Sequence, residues 1–109
     1  MNYNILLTDD FKRKSKRLSK KYKSLKYDLE NFSKELQINP TITPLGKNCY
    51  KVRMSISSKS SGKSGGARVI TCVIFKDIEV YLLTIYDKSE QDSITDKELE
   101  KLVSQIKSK

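Results

Sequence analysis

The sequence predicts a two-layer α+β domain with elements in the order strand, helix, helix, three meandering strands, helix (β-α-α-β-β-β-α). Three patterns carry that expectation. Apolar residues at Leu18, Tyr22, Leu25, Leu29, Phe32 and Leu36 alternate spacings of three and four, the stripe of an amphipathic helix. From Asn48 the period changes to two, with Tyr50, Val52, Met54 and Ile56 on one face and Lys51, Arg53, Ser55 and Ser57 on the other. A second helical stripe, Leu99, Leu102, Val103 and Ile106, follows Thr95 and Glu98, which have the spacing of a capping box.

Tyr3 to Leu7 is a short apolar run and predicts the first strand. Asp9 or Asp10 is placed to cap the helix behind it, with Phe11 as its first buried residue. No Gly or Pro divides the stretch up to Leu36, so one continuous helix is open on the pattern. A hairpin of two helices broken near Lys23 and Ser24 suits a small domain better, because one very long helix would have little to pack against. Asn39-Pro40 ends the helical region, and Pro44 with Gly46 predicts an irregular connection. Ala67 to Phe75 is nearly all apolar or β-branched, as in a central strand covered on both faces. Asp77-Ile78 is the expected turn before a last strand, Val80 to Tyr86.

The 109 residues suffice for one domain spanning 1–109 with a single core. The net charge of +9 is unevenly spread. Nine Lys or Arg and no acid lie between Lys12 and Lys26, and seven more with no acid between Leu36 and Lys76. Eight acids then fall between Asp77 and Glu100. A basic body implies a polyanionic partner. An anionic membrane is the weaker choice, since no apolar run approaches ~18 residues and no cationic segment precedes a signal-like apolar stretch. A cytoplasmic location is expected, with Cys49 and Cys72 reduced. The absence of His excludes Ser-His and Cys-His nucleophile systems and most zinc sites. No metal or cofactor is expected.

Three of the four glycines, Gly62, Gly65 and Gly66, lie in the run from Lys59 to Arg68 that also carries Lys63. Gly62-Lys63-Ser64 has the look of a nucleotide-binding P-loop, but residue 57 is Ser where that pattern needs Gly, and a strand follows where it needs a helix. The alternative constellation is spatial. Lys51 and Arg53 on one strand, Lys59 and Lys63 on the loop, Arg68 on the next strand, and Tyr86 and Lys88 at the end of the last are expected to converge on one sheet surface. Phosphates suit the cations, an unstacked base suits the ring, and an ordinary solvated face is the competing account.

Asn48-Cys49-Tyr50-Lys51-Val52-Arg53, then Gly62 to Ile70, then Tyr81-Leu82-Leu83-Thr84-Ile85-Tyr86-Asp87-Lys88-Ser89-Glu90 resemble the RelE/ParE superfamily of bacterial toxins, and its HigB-like branch most. The likeness covers nearly the whole chain in element order, and residue detail from about Asn39 to Leu102. It implies a RelE-like fold: a small antiparallel sheet, an N-terminal helical hairpin and a C-terminal helix. It implies the toxin of a type II toxin–antitoxin pair that cuts mRNA in the ribosomal decoding site, without metal, and thereby inhibits translation. The 2′-hydroxyl attacks the adjacent phosphate, leaving a 2′,3′-cyclic phosphate and a 5′-hydroxyl. Partners so implied are a cognate antitoxin, the ribosome and mRNA, with operator DNA bound through the antitoxin.

By the resemblance, Lys51 and Arg53 match the lysine-rich strand, Arg68 the family's arginine, and Lys88 a second cation after the last strand. The family's tyrosine corresponds to about Ile94, so its base-stacking role falls to Tyr86 or is absent. The assignment is Arg68, Lys51, Lys88 and Tyr86 as catalytic, with Arg53, Lys59, Lys63, Gly65 and Gly66 contacting RNA or ribosome. Clustered cations suit a phosphorane, and a lysine, normally near pKa ~10.4, serves as a base where burial and like charge depress it. Two readings compete: a ParE-like inhibitor of DNA gyrase and a non-catalytic RNA-binding module.

Overall fold

The computed structural model describes residues 2–41, 43–59 and 65–107. The chain runs β1 (Asn4–Leu7), α1 (Asp9–Lys21), α2 (Leu25–Ile38), β2 (Pro44–Gly46), β3 (Cys49–Met54), β4 (Ala67–Ile74), β5 (Glu79–Asp87) and α3 (Asp96–Lys107). The helical region breaks between Lys21 and Leu25, so a hairpin forms. The capping residue of α1 is Thr8, in place of the expected Asp9 or Asp10. Its Oγ1 accepts from Phe11 N at 3.2 Å, while both aspartates sit in the first turn, where their charge meets the positive end of the helix dipole. At α3, Glu98 N donates to Thr95 Oγ1 at 3.1 Å and Thr95 N to Glu98 Oε1 at 3.2 Å, the reciprocal capping box the sequence predicts.

The strands form one sheet in the order β1-β5-β4-β3-β2. The expected antiparallel meander is its body, and two strands extend it. β1 pairs with β5 in parallel, making the sheet mixed. β2, expected as irregular connection, pairs with β3 at the other edge. Lys47 and Asn48 make that hairpin turn with φ of 55° and 60°, the left-handed pair of a tight two-residue loop. Neither is Gly, so the usual turn signal is missing from the sequence.

α1 and α2 bury Phe11, Leu25, Phe32 and Leu36 against Val52, Met54, Ile56, Val69, Val80, Leu82 and Ile85. α3 lays Leu99 and Leu102 on the opposite face, over Cys49, Ile70, Cys72, Tyr81 and Leu83. The two expected layers thus gain a third, partial one, pinned to the β2–β3 turn by a Lys47–Glu100 ion pair at 3.1 Å.

One irregularity decides which way the end of β5 faces. Ile70 pairs with Thr84 but Thr71 with Leu82, so Leu83 is an extra residue, a β-bulge. Strict alternation from Val80 and Leu82 would turn Tyr86 toward α1 and α2. The bulge resets the phase: Ile85 enters that core, and Tyr86 joins the α3 face.

Candidate nucleic-acid interface

Arg53, Arg68 and Tyr86 occupy one row across β3, β4 and β5, adjacent strands being about 4.8 Å apart. Lys51 lies two residues back on β3 opposite Ile70, whose side chain faces α3. Lys88 follows Tyr86 by two residues, and its N–H donates to Gly66 O at 3.0 Å, which ties the end of β5 to the start of β4. Four of the expected residues, Lys51, Arg68, Tyr86 and Lys88, thus lie on the α3 face of the sheet, with Tyr86 packed in the cluster that the helix covers.

Their exposures differ. Arg68 is 3% exposed, with its Nη1 donating to Ala67 O at 3.1 Å, so it forms the floor. Lys51 and Lys88 are half-buried above it. Arg53 is exposed at the sheet edge, where it borders a groove shared with Tyr27, Asn31 and Glu35 of α2.

An acid stands among these cations, which the sequence did not disclose. Asp92, on the loop after β5, pairs with Lys88. The Lys88 hydrogen bond, with the charges of Lys88, Lys51 and Arg68 behind it, holds the Asp92 carboxyl below its ordinary value. Lys88 is the cation in contact with that solvated carboxylate, and Lys51 and Arg68 act on it through space. Tyr86 has its hydroxyl pushed upward, chiefly by burial and then by Asp92 and Glu98, with Arg68 opposing.

Lys59 does not join the cluster; its expected convergence with Lys51 and Arg68 is corrected by the structure. It follows Ile56 through a short turn at Ser57–Lys59 onto the α1–α2 side. There Nζ donates to Asp87 Oδ1 at 2.7 Å and lies 5.5 Å from the centre of the Tyr22 ring. Asp87 also accepts from Tyr22 Oη at 2.5 Å and from Ser89 N and Oγ at 2.9 and 2.7 Å. Its carboxyl is held well below the usual range: burial alone would raise it, and the Lys59, Tyr22 and Ser89 hydrogen bonds overcome that. Gly66 also has a packing role. A Cβ there would stand 2.1 Å from Met54 O, so only glycine lets β4 start this close to β3. Gly65 precedes it, half-buried. Lys63 lies outside the described residues.

The family model described as "RelE toxin of RelE / RelB toxin-antitoxin system" matches residues 4–108. The chain belongs to the RelE toxin family. Among solved structures, an arginine-to-alanine double mutant of the E. coli toxin RelE in the free state shares 20% identity at a TM-score of 0.61, over 97% of this chain and 99% of that one. The isolated E. coli RelE toxin matches at 17% identity and a TM-score of 0.52, over 95% and 98%. The intact E. coli RelBE toxin–antitoxin complex matches at 20% and 0.50, over 78% of this chain and 95% of that one. At such identities the likeness speaks for the α+β fold. These matches do not set the HigB-like branch apart. Among the described residues no helix is long and apolar enough to cross a membrane.

Proposed function

We propose that the chain is a ribosome-dependent endoribonuclease that cuts mRNA in the decoding site and is held in check by a cognate antitoxin. The observation that carries this reading is the gathering of Lys51, Arg68, Tyr86 and Lys88 on one face, with the solvated Asp92 as their near acid. In the proposed step the 2′-oxygen bonds to phosphorus and the bond from phosphorus to the 5′-oxygen breaks. The proton of the 2′-hydroxyl leaves to a base, and the departing oxygen gains one, giving a cyclic phosphate and a 5′-hydroxyl. Lys51 and Lys88 flank the phosphate, and Arg68 supplies fixed positive charge from below, where low dielectric strengthens it. In this reading the ribosome positions the RNA so that the 2′-hydroxyl attacks in line.

A cation surface of this kind is complementary to an acidic segment, and complementary charge speeds capture. RelE in the E. coli RelBE structure is held by an antitoxin, and the same class of partner is proposed here, with operator DNA reached through it in the cytoplasm. Induced expression with mapping of mRNA 5′ ends tests the reading. Growth arrest with new in-frame cuts on translated messages, relieved by the neighbouring gene's product, is expected. Arrest with intact mRNA would favour the gyrase account, and harmless expression the RNA-binding module.

A further inference from the structure

Cys49 on β3 and Cys72 on β4 stand directly opposite one another in the sheet. Val73 N donates to Asn48 O at 2.9 Å, the bond that flanks a pair not itself hydrogen-bonded across the strands. In such a pair the Cα atoms approach to about 4.5 Å, and a disulfide spans Cα separations of about 4.4–6.8 Å. Both side chains face α3, and both are free thiols. They also converge on one backbone atom: Cys49 Sγ is 3.5 Å and Cys72 Sγ 3.9 Å from Lys47 O in the β2–β3 turn. Each thiol shifts the other. Cys72 is held below its ordinary value, chiefly by a hydrogen bond from the Cys49 thiol and against the effect of burial. Cys49 is pushed up by that same bond and then by burial. Cys72 is therefore the sulfur that ionises first, and the thiolate is the form that reacts.

As packing, two small apolar residues would fill the same space. What the thiols add is chemistry, and the cover over them decides when it is used. Cys49 is 0% and Cys72 4% exposed, so a reagent does not meet them in the closed fold. The cover is α3, which lays Leu99 and Leu102 on this cluster. Val103 and Ile106 of the same helix are only half-buried. The Lys47–Glu100 pair that ties it to the turn is mostly exposed on both sides, and such a pair adds little. An open recess of about 570 Å³, lined by Lys47, Glu100, Val103 and Ser104, runs along that seam. A helix held in this way lifts at lower cost than the strands beneath it come apart.

We propose that Cys49 and Cys72 are a reversible oxidation site: a peroxide joins them in a cross-strand disulfide, and the lifting of α3 sets the rate. The Cys72 thiolate attacks one oxygen of hydrogen peroxide. The S–O bond forms, the O–O bond breaks, and the departing hydroxide takes up the Cys72 proton as water. The Cys49 sulfur then attacks the Cys72 sulfenic acid. The S–S bond forms, the S–O bond breaks, and the hydroxide released takes the Cys49 proton as a second water. Two electrons have passed from the two sulfurs to the peroxide. The new bond closes the loop that carries Lys51, Arg53 and Arg68, so the oxidised chain is harder to unfold. A thiol reductant reverses it. The inference is independent of the endoribonuclease reading.

The reduced full-length protein is treated with hydrogen peroxide in native buffer while intact mass, free thiols and melting are followed. The expected result is loss of two hydrogens by mass and of both thiols within one chain. Melting should rise by about 10 °C and return to its starting value with dithiothreitol. Cys49→Ser and Cys72→Ser should each abolish the rise. Val103→Ala, which trims a half-buried contact of α3 and leaves the sheet intact, should speed the loss of thiols about fivefold. Thiols that stay free until denaturant unfolds the chain overturn the proposal. So does oxidation of one sulfur to a sulfinic acid with no disulfide, or a disulfide that joins two chains. An unchanged rate in Val103→Ala overturns the part given to α3. Should a cysteine variant fail to fold, the mass and melting of the wild-type chain still decide.

Discussion

At the end of β5, consecutive residues deliver opposite chemistry to opposite faces of one sheet. Asp87 points toward α1 and α2, where its side chain is fully buried and takes bonds from Lys59, Tyr22 and Ser89. Tyr86 and Lys88 point the other way, toward the face that also carries Lys51 and Arg68, where Lys88 pairs with the solvated Asp92. Lysine is therefore used in two senses within a few ångströms of chain. On one face it is neutralised inside the fold and belongs to stability. On the other it stays half-exposed, with Lys88 paired to the solvated Asp92, and charge that faces solvent is what a polyanion can use.

The largest test removes the centre of the first region. Asp87→Asn keeps the shape but leaves the Lys59 ammonium, whose side chain is only 14% exposed, without its counter-charge. Breaking such a pair costs about 3 kcal/mol, a fall in melting temperature of about 12–15 °C for a domain of this size. The pH dependence has a fixed sign. A carboxyl whose folded pKa is depressed stabilises the fold above its unfolded value of about 3.9 and loses that contribution as pH falls through the acid range. Wild-type protein should lose stability more steeply than Asp87→Asn below about pH 4. Parallel acid-unfolding curves would show that Asp87 is not the buried anion described here.

Next comes an exchange of roles between lysines that the sequence had grouped together. Lys51→Ala and Lys88→Ala should lower ribosome-dependent cleavage about 10- to 100-fold and leave melting unchanged. Lys59→Ala should do the reverse, lowering melting and sparing cleavage in whatever fraction stays folded. If all three behave alike, the two regions act as one.

Why this division was hidden follows from particular residues. The helical hairpin, the central strand at Ala67–Ile74 and the Thr95–Glu98 box were legible because each rests on local period or a fixed spacing. The facing of Tyr86 was not, because a one-residue bulge at Leu83 inverts everything after it and leaves no mark in composition. Lys59 and Lys51 look equivalent in the sequence, yet a buried aspartate 28 positions beyond Lys59 claims only one of them. β2 escaped because its turn uses Lys47 and Asn48 at positive φ where Gly is the common signal.

A gentler cut sharpens the first region. Tyr22→Phe removes one donor to Asp87 while keeping the ring between the Lys21 and Lys59 ammonium groups, 5.3 and 5.5 Å from its centre. Loss of one hydrogen bond to a charged group should cost about 1.5 kcal/mol, read by chemical denaturation, with cleavage unaltered. A variant of normal stability and impaired cleavage would mean that the two faces communicate through β5.

The smallest effect belongs to the acid in the second region. Asp92 is exposed and pairs with Lys88 across four residues, and a solvated pair of that kind adds little to stability. Its effect on the partner is larger than its effect on the fold, because it offsets part of the charge offered by Lys51, Arg68 and Lys88. Asp92→Asn should leave melting in place, strengthen ribosome or RNA binding a few-fold at moderate salt, and steepen the salt dependence by about 0.7 in log–log slope, the share of one more effective cation on a single strand. The direction is the decisive part. Were the cluster a solvated face with no anionic partner, removing this carboxylate would change neither binding nor its slope. Were Asp92 instead needed to hold Lys88 in place, cleavage would drop while the salt slope rose, and the surface charge of the site would be separated from its geometry.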